Sequence, residues 1–182
     1  MNEGLIPARY AKALYKVACE QKNDAQLYQM MKSLEQSFSQ QPLLQSTLGN
    51  PYVSDADKAN LLITAADVIK EGKDLFCDFI KLLSENKRVD MARGISKAYI
   101  SLYRSNNRIY EVKVVTAAPM SEKEQKRLRD MVGRHLNGGT MEYSTSVNPD
   151  LIGGFTVSVG NERIDASISN ELKQLRLNLI SK

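Results

Sequence analysis

The spacing of apolar residues changes once along this 182-residue chain, and the change divides it in two. Up to Arg104, apolar side chains return every three or four residues, the repeat of helices packed along one side. From Val112 onward they return every second residue, the repeat of strands, with helical spacing only between and after these stretches. The switch predicts a helical module over residues 1–105 and a small α+β module over residues 106–182.

In the first module Pro7 suits a first helical position. Tyr10, Leu14, Val17 and Ala18 then share one face, and Ala8, Ala11, Ala13 and Tyr15 widen it. A second helix follows Asp24 with Leu27, Met30, Met31, Leu34 and Phe38 in register. Pro42 opens a short helix with Leu43, Leu44 and Leu48, which Gly49-Asn50-Pro51 breaks. Ser54, followed by Asp55 and Asp57, starts a fourth helix. Its apolar positions are Leu61, Leu62, Ala65, Val68 and Ile69, and Gly72 ends it. The fifth carries Leu75, Phe76, Phe79, Ile80, Leu82 and Leu83; the sixth carries Met91, Ile95, Ala98, Tyr99 and Leu102. Short helices with brief connections predict a six-helix bundle. The polar run Ser105–Arg108 is a candidate hinge.

In the second module a strand through Val112 and Val114 leads to Pro119, and Ser121 with Glu124 forms a capping box. The helix behind it uses Leu128, Met131, Val132, His135 and Leu136 and stops at Gly138-Gly139. Met141, Tyr143, Thr145 and Val147 alternate as a second strand; Phe155, Val157 and Val159 as a third. Gly160-Asn161 is a hairpin turn returning through Arg163-Ile164. Asp165 is expected to cap a last helix whose stripe, Ile168, Leu172, Leu175 and Leu179, covers part of its own sheet. At about 75 residues such a module has a marginal core.

No catalytic constellation assembles. The single histidine, His135, falls on an apolar helix face, where packing is the simpler role. Cys19 and Cys77 form no CxxC pair and read as buried, reduced thiols, so no metal site is expected. There is no phosphate-binding loop of the G-x-x-x-x-G-K-[ST] type and no G-x-S-x-G elbow, so no cofactor is expected either. Gly153-Gly154 reads as a bend at strand entry rather than a phosphate loop, and Asp165 as a cap rather than an acid catalyst. Residues 1–105 carry 14 basic and 12 acidic side chains, and residues 106–182 carry 11 and 9. A balance this even argues against nucleic-acid binding. Lys87, Arg88, Arg93 and Lys97 lack interleaved aromatics and read as a solvated helix end. The N-terminus has no signal-peptide pattern and no apolar run approaches about 20 residues. A soluble cytoplasmic chain is expected, reaching a membrane only through partners. The unusual feature is apolar excess on the first and fifth helices, which either central burial or a groove for a partner helix explains.

Five segments resemble one known family. Pro7-Ala8-Arg9-Tyr10-Ala11-Lys12-Ala13-Leu14-Tyr15 is similar to the opening of ATP synthase delta subunits and of their mitochondrial counterpart, the oligomycin sensitivity-conferring protein. Asn50-Pro51 with Lys58, and Phe79-Ile80-Lys81-Leu82-Leu83-Ser84-Glu85-Asn86-Lys87-Arg88, resemble the next two landmarks. Val115-Thr116-Ala117-Ala118-Pro119 is the fourth. The most specific is Val147 to Phe155, through Asn148-Pro149-Asp150-Leu151-Ile152-Gly153-Gly154, followed by Ile164-Asp165-Ala166-Ser167-Ile168. Asn148 stands where the family usually has Asp; either residue starts the turn.

The resemblance implies a non-catalytic stator subunit at the cytoplasmic face of the membrane. Its helical bundle would grip an N-terminal helix of the alpha subunit, and its second domain would bind the C-terminal helices of the stalk's b subunits. On this reading the groove residues come from Tyr10, Ala13, Leu14, Val17, Phe76, Ile80 and Leu83, while Gly153, Gly154 and Asp165 are structural. The alternative is a helical RNA-binding antitermination factor, whose first helix has a similar pattern but which lacks the strand-bearing second domain.

Overall fold

The computed structural model describes residues 4–67, 72–136, 138–160 and 162–180, apart from the side chain of His135. The chain separates into two units, Met1–Asn106 and Asn107–Lys182.

The first unit contains α1 (Leu5–Glu20), α2 (Asp24–Gln40), α3 (Pro42–Gly49), α4 (Asp55–Ala65) and α5 (Lys73–Glu85). A 3-10 turn, Val89–Met91, then leads into α6 (Ala92–Asn106). Local chemistry sets several of these ends. Pro7 is third in α1 rather than first, still among the leading amides that have no helical acceptor. Between α3 and α4, the Tyr52 amide donates to Asn50 Oδ1 at 2.9 Å across Pro51, which fixes the turn. Ser54 caps α4: its Oγ accepts from the Asp57 amide at 3.2 Å and donates to Asp57 Oδ2 at 2.6 Å. α4 ends at Ala65, short of the expected Gly72; Val68 and Ile69 lie outside the described residues. α6 runs further than expected. Ser105 and Asn106, assigned to a hinge from their polarity, complete its last turn, leaving Asn107 and Arg108 before the first strand.

α6 packs against both α1 and α2. Pro7 faces Gly94, and the Tyr15 ring lies 6.0 and 6.3 Å from those of Tyr99 and Tyr103, so α1 and α6 run parallel. Tyr28 stacks on Tyr103 at 4.3 Å, and the Tyr99 hydroxyl donates to the Asp24 carbonyl at 3.3 Å. Leu27, Met30, Met31, Leu34, Phe38, Leu62 and Ile95 fill the centre. Neither cysteine is buried as expected. Cys19 is exposed and Cys77 intermediate, because each follows a core residue, Ala18 or Phe76, and one helical step of about 100° carries it off the core face.

The second unit holds β1 (Ile109–Thr116), α7 (Glu122–His135), β2 (Thr140–Val147), a 3-10 turn (Pro149–Leu151), β3 (Gly154–Val159), β4 (Glu162–Ser167) and α8 (Ile168–Ile180). The sheet order is β2-β1-β3-β4, with β2 parallel to β1 and the other neighbours antiparallel. The capping box of Ser121 and Glu124 is present at the start of α7. Leu128, Val132 and Leu136 of α7 cluster with Val112 and Val114 of β1 and Val157 of β3. Gly160 turns between β3 and β4 with φ +56°; its partner in the turn, Asn161, lies outside the described residues. Among the described residues the whole is an α+β chain of eight helices and one four-stranded sheet.

The strand expected from Met141, Tyr143, Thr145 and Val147 forms as β2; Met141 and Tyr143 pack on the core, while Thr145 and Val147 are exposed. α7 packs over β1 and β3 and also reaches the edge strand β2, where the Arg129 guanidinium lies 4.4 Å from the Tyr143 ring centre. Two expectations fail here. Asp165 lies inside β4, and Ser167 is the cap of α8, its Oγ accepting from the Asn170 amide at 3.2 Å. The α8 stripe does not cover the sheet: Ile168, Leu172, Leu175 and Leu179 are 43, 52, 60 and 72% exposed. α8 starts at the residue after β4, so no loop exists to fold it back, whereas strand-to-helix connections ordinarily take about 2–6 residues.

Candidate docking surfaces

Arg88 follows the C-terminal end of α5, and its Nη1 donates to the Tyr10 hydroxyl at 3.4 Å, with the guanidinium 5.7 Å from the Tyr10 ring centre. The Tyr10 segment of α1 therefore lies near the C-terminal end of α5. Between them runs a groove of about 260 Å³ lined by Tyr10, Ala13, Leu14 and Val17 from α1 and Leu75, Asp78, Phe79 and Leu82 from α5. Leu14 and Phe79 form its floor; Val17 and Leu82 stand exposed on its walls. Each helix contributes positions i, i+3, i+4 and i+7, the complement of a third helix laid along the cleft. Typical small-molecule sites span about 300–1,000 Å³. An open apolar furrow smaller than that suits the side chains of a helix better.

All four groove residues expected from α1 line this furrow. The three expected from α5 do not: Phe76, Ile80 and Leu83 are 0, 1 and 0% exposed and belong to the core. The two stripes of α5 interleave in sequence, Leu75-Phe79-Leu82 beside Phe76-Ile80-Leu83, and periodicity alone does not say which turns inward. From α5 the furrow is lined instead by Leu75, Asp78, Phe79 and Leu82, none of them among the expected groove residues; Asp78 belongs to no apolar pattern at all.

In the second unit the two most specific motif segments close on each other. The Asn148 amide donates to the Thr116 carbonyl at 2.8 Å, and Asn148 Oδ1 accepts from the Asp150 amide at 3.0 Å. Ile152 has φ +65° and ψ −41°, and the Gly153 amide donates to the Leu151 carbonyl at 2.7 Å, a γ-turn of the strained kind. Gly154 has φ +75°, and a Cβ there would run into the Ala166 carbonyl oxygen. Ile168 lies over Gly153, where a Cβ would meet its side chain, and its amide donates to the Gly153 carbonyl at 3.0 Å. Asp165 Oδ1 accepts from the Ser167 hydroxyl at 2.6 Å and amide at 3.1 Å, and Arg163 Nη2 donates to Oδ2 at 3.3 Å. The Ser167 hydroxyl bond, with the amide and Arg163 assisting, holds the Asp165 carboxyl below its ordinary range. Gly153, Gly154 and Asp165 thus fix the point at which α8 leaves the sheet. Beyond it Leu172, Leu175, Leu177, Leu179 and Ile180 are all more than half exposed, an apolar helix without a cover.

Other clefts are more polar. One between α1 and α6 has Lys12, Lys16 and Glu20 on its rim; another lies along Arg127, Asp130, Met131 and Arg134 of α7. Among the described residues no three His, Cys, Asp or Glu side chains gather as a metal site would require, and no helix is long and apolar enough to cross a membrane.

The family model "ATP synthase delta (OSCP) subunit" matches residues 6–179. An ATP synthase subunit delta of Parabacteroides distasonis is 38% identical over 99% of this chain and 98% of its own length. That of Bacteroides thetaiotaomicron is 36% identical over 100% and 97%. A chain in the cryo-electron microscopy structure of the Toxoplasma gondii mitochondrial ATP synthase hexamer shares the fold, with a TM-score of 0.73 at 21% identity over 96% of this chain and 97% of its own.

Proposed function

The chain belongs to the ATP synthase delta (OSCP) subunit family, and from that premise we propose how its two units work as a connector in the stator. As a member of this family it is a non-catalytic component of the peripheral stalk of ATP synthase, a membrane-associated complex. The family match runs through the strand-bearing unit, so the RNA-binding alternative has no support. In our reading α1–α6 act as one six-helix bundle and the α1–α5 groove takes the N-terminal helix of an alpha subunit. The uncovered α8, with the base that Gly153 and Gly154 set, takes the C-terminal helices of the b subunits. The complex then holds the chain at the cytoplasmic face of the membrane.

The observation that carries this reading is the separation of two unlike apolar surfaces. One is a furrow within the first unit; the other is a projecting helix in the second. A protein that must transmit torque between two partners needs two attachments, each with apolar area to bury. The test is co-purification from detergent-solubilised membranes through a tag on this chain. Wild-type chain should bring down the alpha and beta head and the b subunits. Ala13→Arg should lose the head and keep b, because it places a charge and a long side chain in the furrow. Leu172→Asp with Leu175→Asp should lose b and keep the head. Loss of neither, or of both by each variant, contradicts the assignment.

A further inference from the structure

A strand at the edge of a sheet offers unpaired amides and carbonyls to any further strand, and edges are ordinarily blunted by lysine, proline, a bulge or brevity. The two edges of this sheet differ in that respect. β4 has six residues, carries Glu162, Arg163 and Asp165, and runs straight into α8. β2 has eight, without lysine, arginine or proline, and pairs with β1 residue for residue from Thr140 to Val147, with no bulge. The Thr140 amide donates to the Arg108 carbonyl at 3.1 Å and the Asn148 amide to that of Thr116 at 2.8 Å, so the even-numbered residues turn their amides to β1. Backbone direction alternates along a strand, so Met141, Tyr143, Thr145 and Val147 turn theirs outward. The side chains of these four share the face that α7 covers. Arg129 of α7, though exposed, is held against the Tyr143 ring at 4.4 Å. α7 runs against β1 and β2, which it connects, so Lys126 and Glu122, on the same flank one and two turns nearer its start, stand toward Val147; both are exposed and their charges offset each other. Arg127, Asp130 and Arg134 line a separate cleft along α7. Glu142 belongs to the opposite face of the sheet with Glu111 and Lys113, which pair at 3.2 Å. Arg129 is therefore the charge that a residue laid beside Tyr143 meets.

We propose that the outer edge of β2 binds an extended peptide segment of a partner protein as a fifth strand, with an acidic residue beside Tyr143 and β-branched residues beside Thr145 and Val147. Main-chain bonds to Tyr143, Thr145 and Val147 supply the affinity, and Arg129 supplies the selectivity. Antiparallel pairing is the stronger kind, so the segment reads β-branched, polar, β-branched, polar, acidic from its N-terminal side. β2 and β4 are the outer strands, three strand spacings or about 14 Å apart, and the added strand leaves α8 open to its own partner.

The probe is a blocked synthetic peptide, Ser-Val-Thr-Val-Thr-Glu-Ser, added to the full chain and followed by NMR-detected amide exchange. Exchange at Tyr143, Thr145 and Val147 should slow about tenfold at nine-tenths saturation, while Ser144 and Ser146, already paired to β1, stay unchanged. N-methylation of both valines, whose amides face β2 in this register, should abolish binding; N-methylation of both threonines should preserve it. Exchanging the peptide's Glu for Lys should weaken binding about fivefold, the upper range for a solvent-edged pair, and Arg129→Glu should reverse that preference. Thr145→Pro removes one outward amide and no inward one, so the chain should keep its fold and lose the peptide. No slowing at the outward amides, equal loss with either N-methylated peptide, or slowing along α8 instead overturns the edge assignment. A Glu preference that survives Arg129→Glu overturns the selectivity. Dimerisation of the peptide-free chain that Thr145→Pro abolishes gives the edge to a second copy and overturns the partner.

Discussion

Gly153 and Gly154 are adjacent and chemically identical, yet the structure assigns them unequal tolerance. At Gly154 the backbone is left-handed and the obstacle is a carbonyl oxygen of the neighbouring strand, which cannot move without breaking the ladder. At Gly153 the obstacle is the end of the Ile168 side chain, itself partly exposed and able to turn away. Gly154→Ala should therefore cost more than about 2 kcal/mol and Gly153→Ala about 1 kcal/mol or less, read from denaturant unfolding of the second unit. Asp165 makes a separate claim. Its carboxyl titrates below the ordinary value in the folded chain, so its stabilisation is complete above the unfolded value, roughly pH 4, and is lost as pH falls through the folded one. Amide exchange in β3 and β4 should accelerate across that acid window, and Asp165→Asn should flatten the dependence. A wild-type profile unchanged by the substitution would remove the carboxylate from the account.

Three helices of the first unit carry a start signal legible in the sequence: Pro7, Pro42 and Ser54 stand at or near the starts of α1, α3 and α4, as propensity dictates. What was not readable is orientation within an apolar surface wider than one stripe. α5 presents Phe76, Ile80 and Leu83 to the core and Leu75, Phe79 and Leu82 to the furrow, and both sets have helical spacing. The distinction depends on which elements pack against α5, a long-range fact. The two sets should separate in experiment. Phe76→Ala should destabilise the first unit by about 3–5 kcal/mol. Leu82→Ala should change stability by about 0.5 kcal/mol or less and weaken binding of an alpha-subunit helix peptide about tenfold, measured by calorimetry. α8 shows the opposite failure. Its 4-3-4 stripe was read as partly covering the sheet because isolated amphipathic helices ordinarily pack on their own domain; the absence of any loop between Ser167 and Ile168 overrides that rule. The capping role moved from Asp165 to Ser167 for a related reason, since β4 continues in ladder pairing through Ser167.

At the scale of the chain, the apolar repeat divides the sequence after residue 105, and the two compact units meet one residue later, between Asn106 and Asn107. The first unit holds many side chains under 2% exposed, while the second rests on six residues between 0 and 9%. Arg108, exposed and left-handed at φ +51°, stands just after the boundary. Brief trypsin treatment should therefore cut there early and leave a folded fragment close to residues 1–108, with the second unit degraded first. A stator connector also requires that each partner be held by a different unit, and hydrogen exchange on the intact chain tests that requirement most directly. An alpha-subunit N-terminal helix peptide should slow exchange in α1 and α5 and leave α8 unchanged. A C-terminal segment of the b subunits should slow exchange in α8 and around Gly153-Gly154 and leave α1 and α5 unchanged. Protection of the same unit by both partners, or of neither surface by either, would contradict the account.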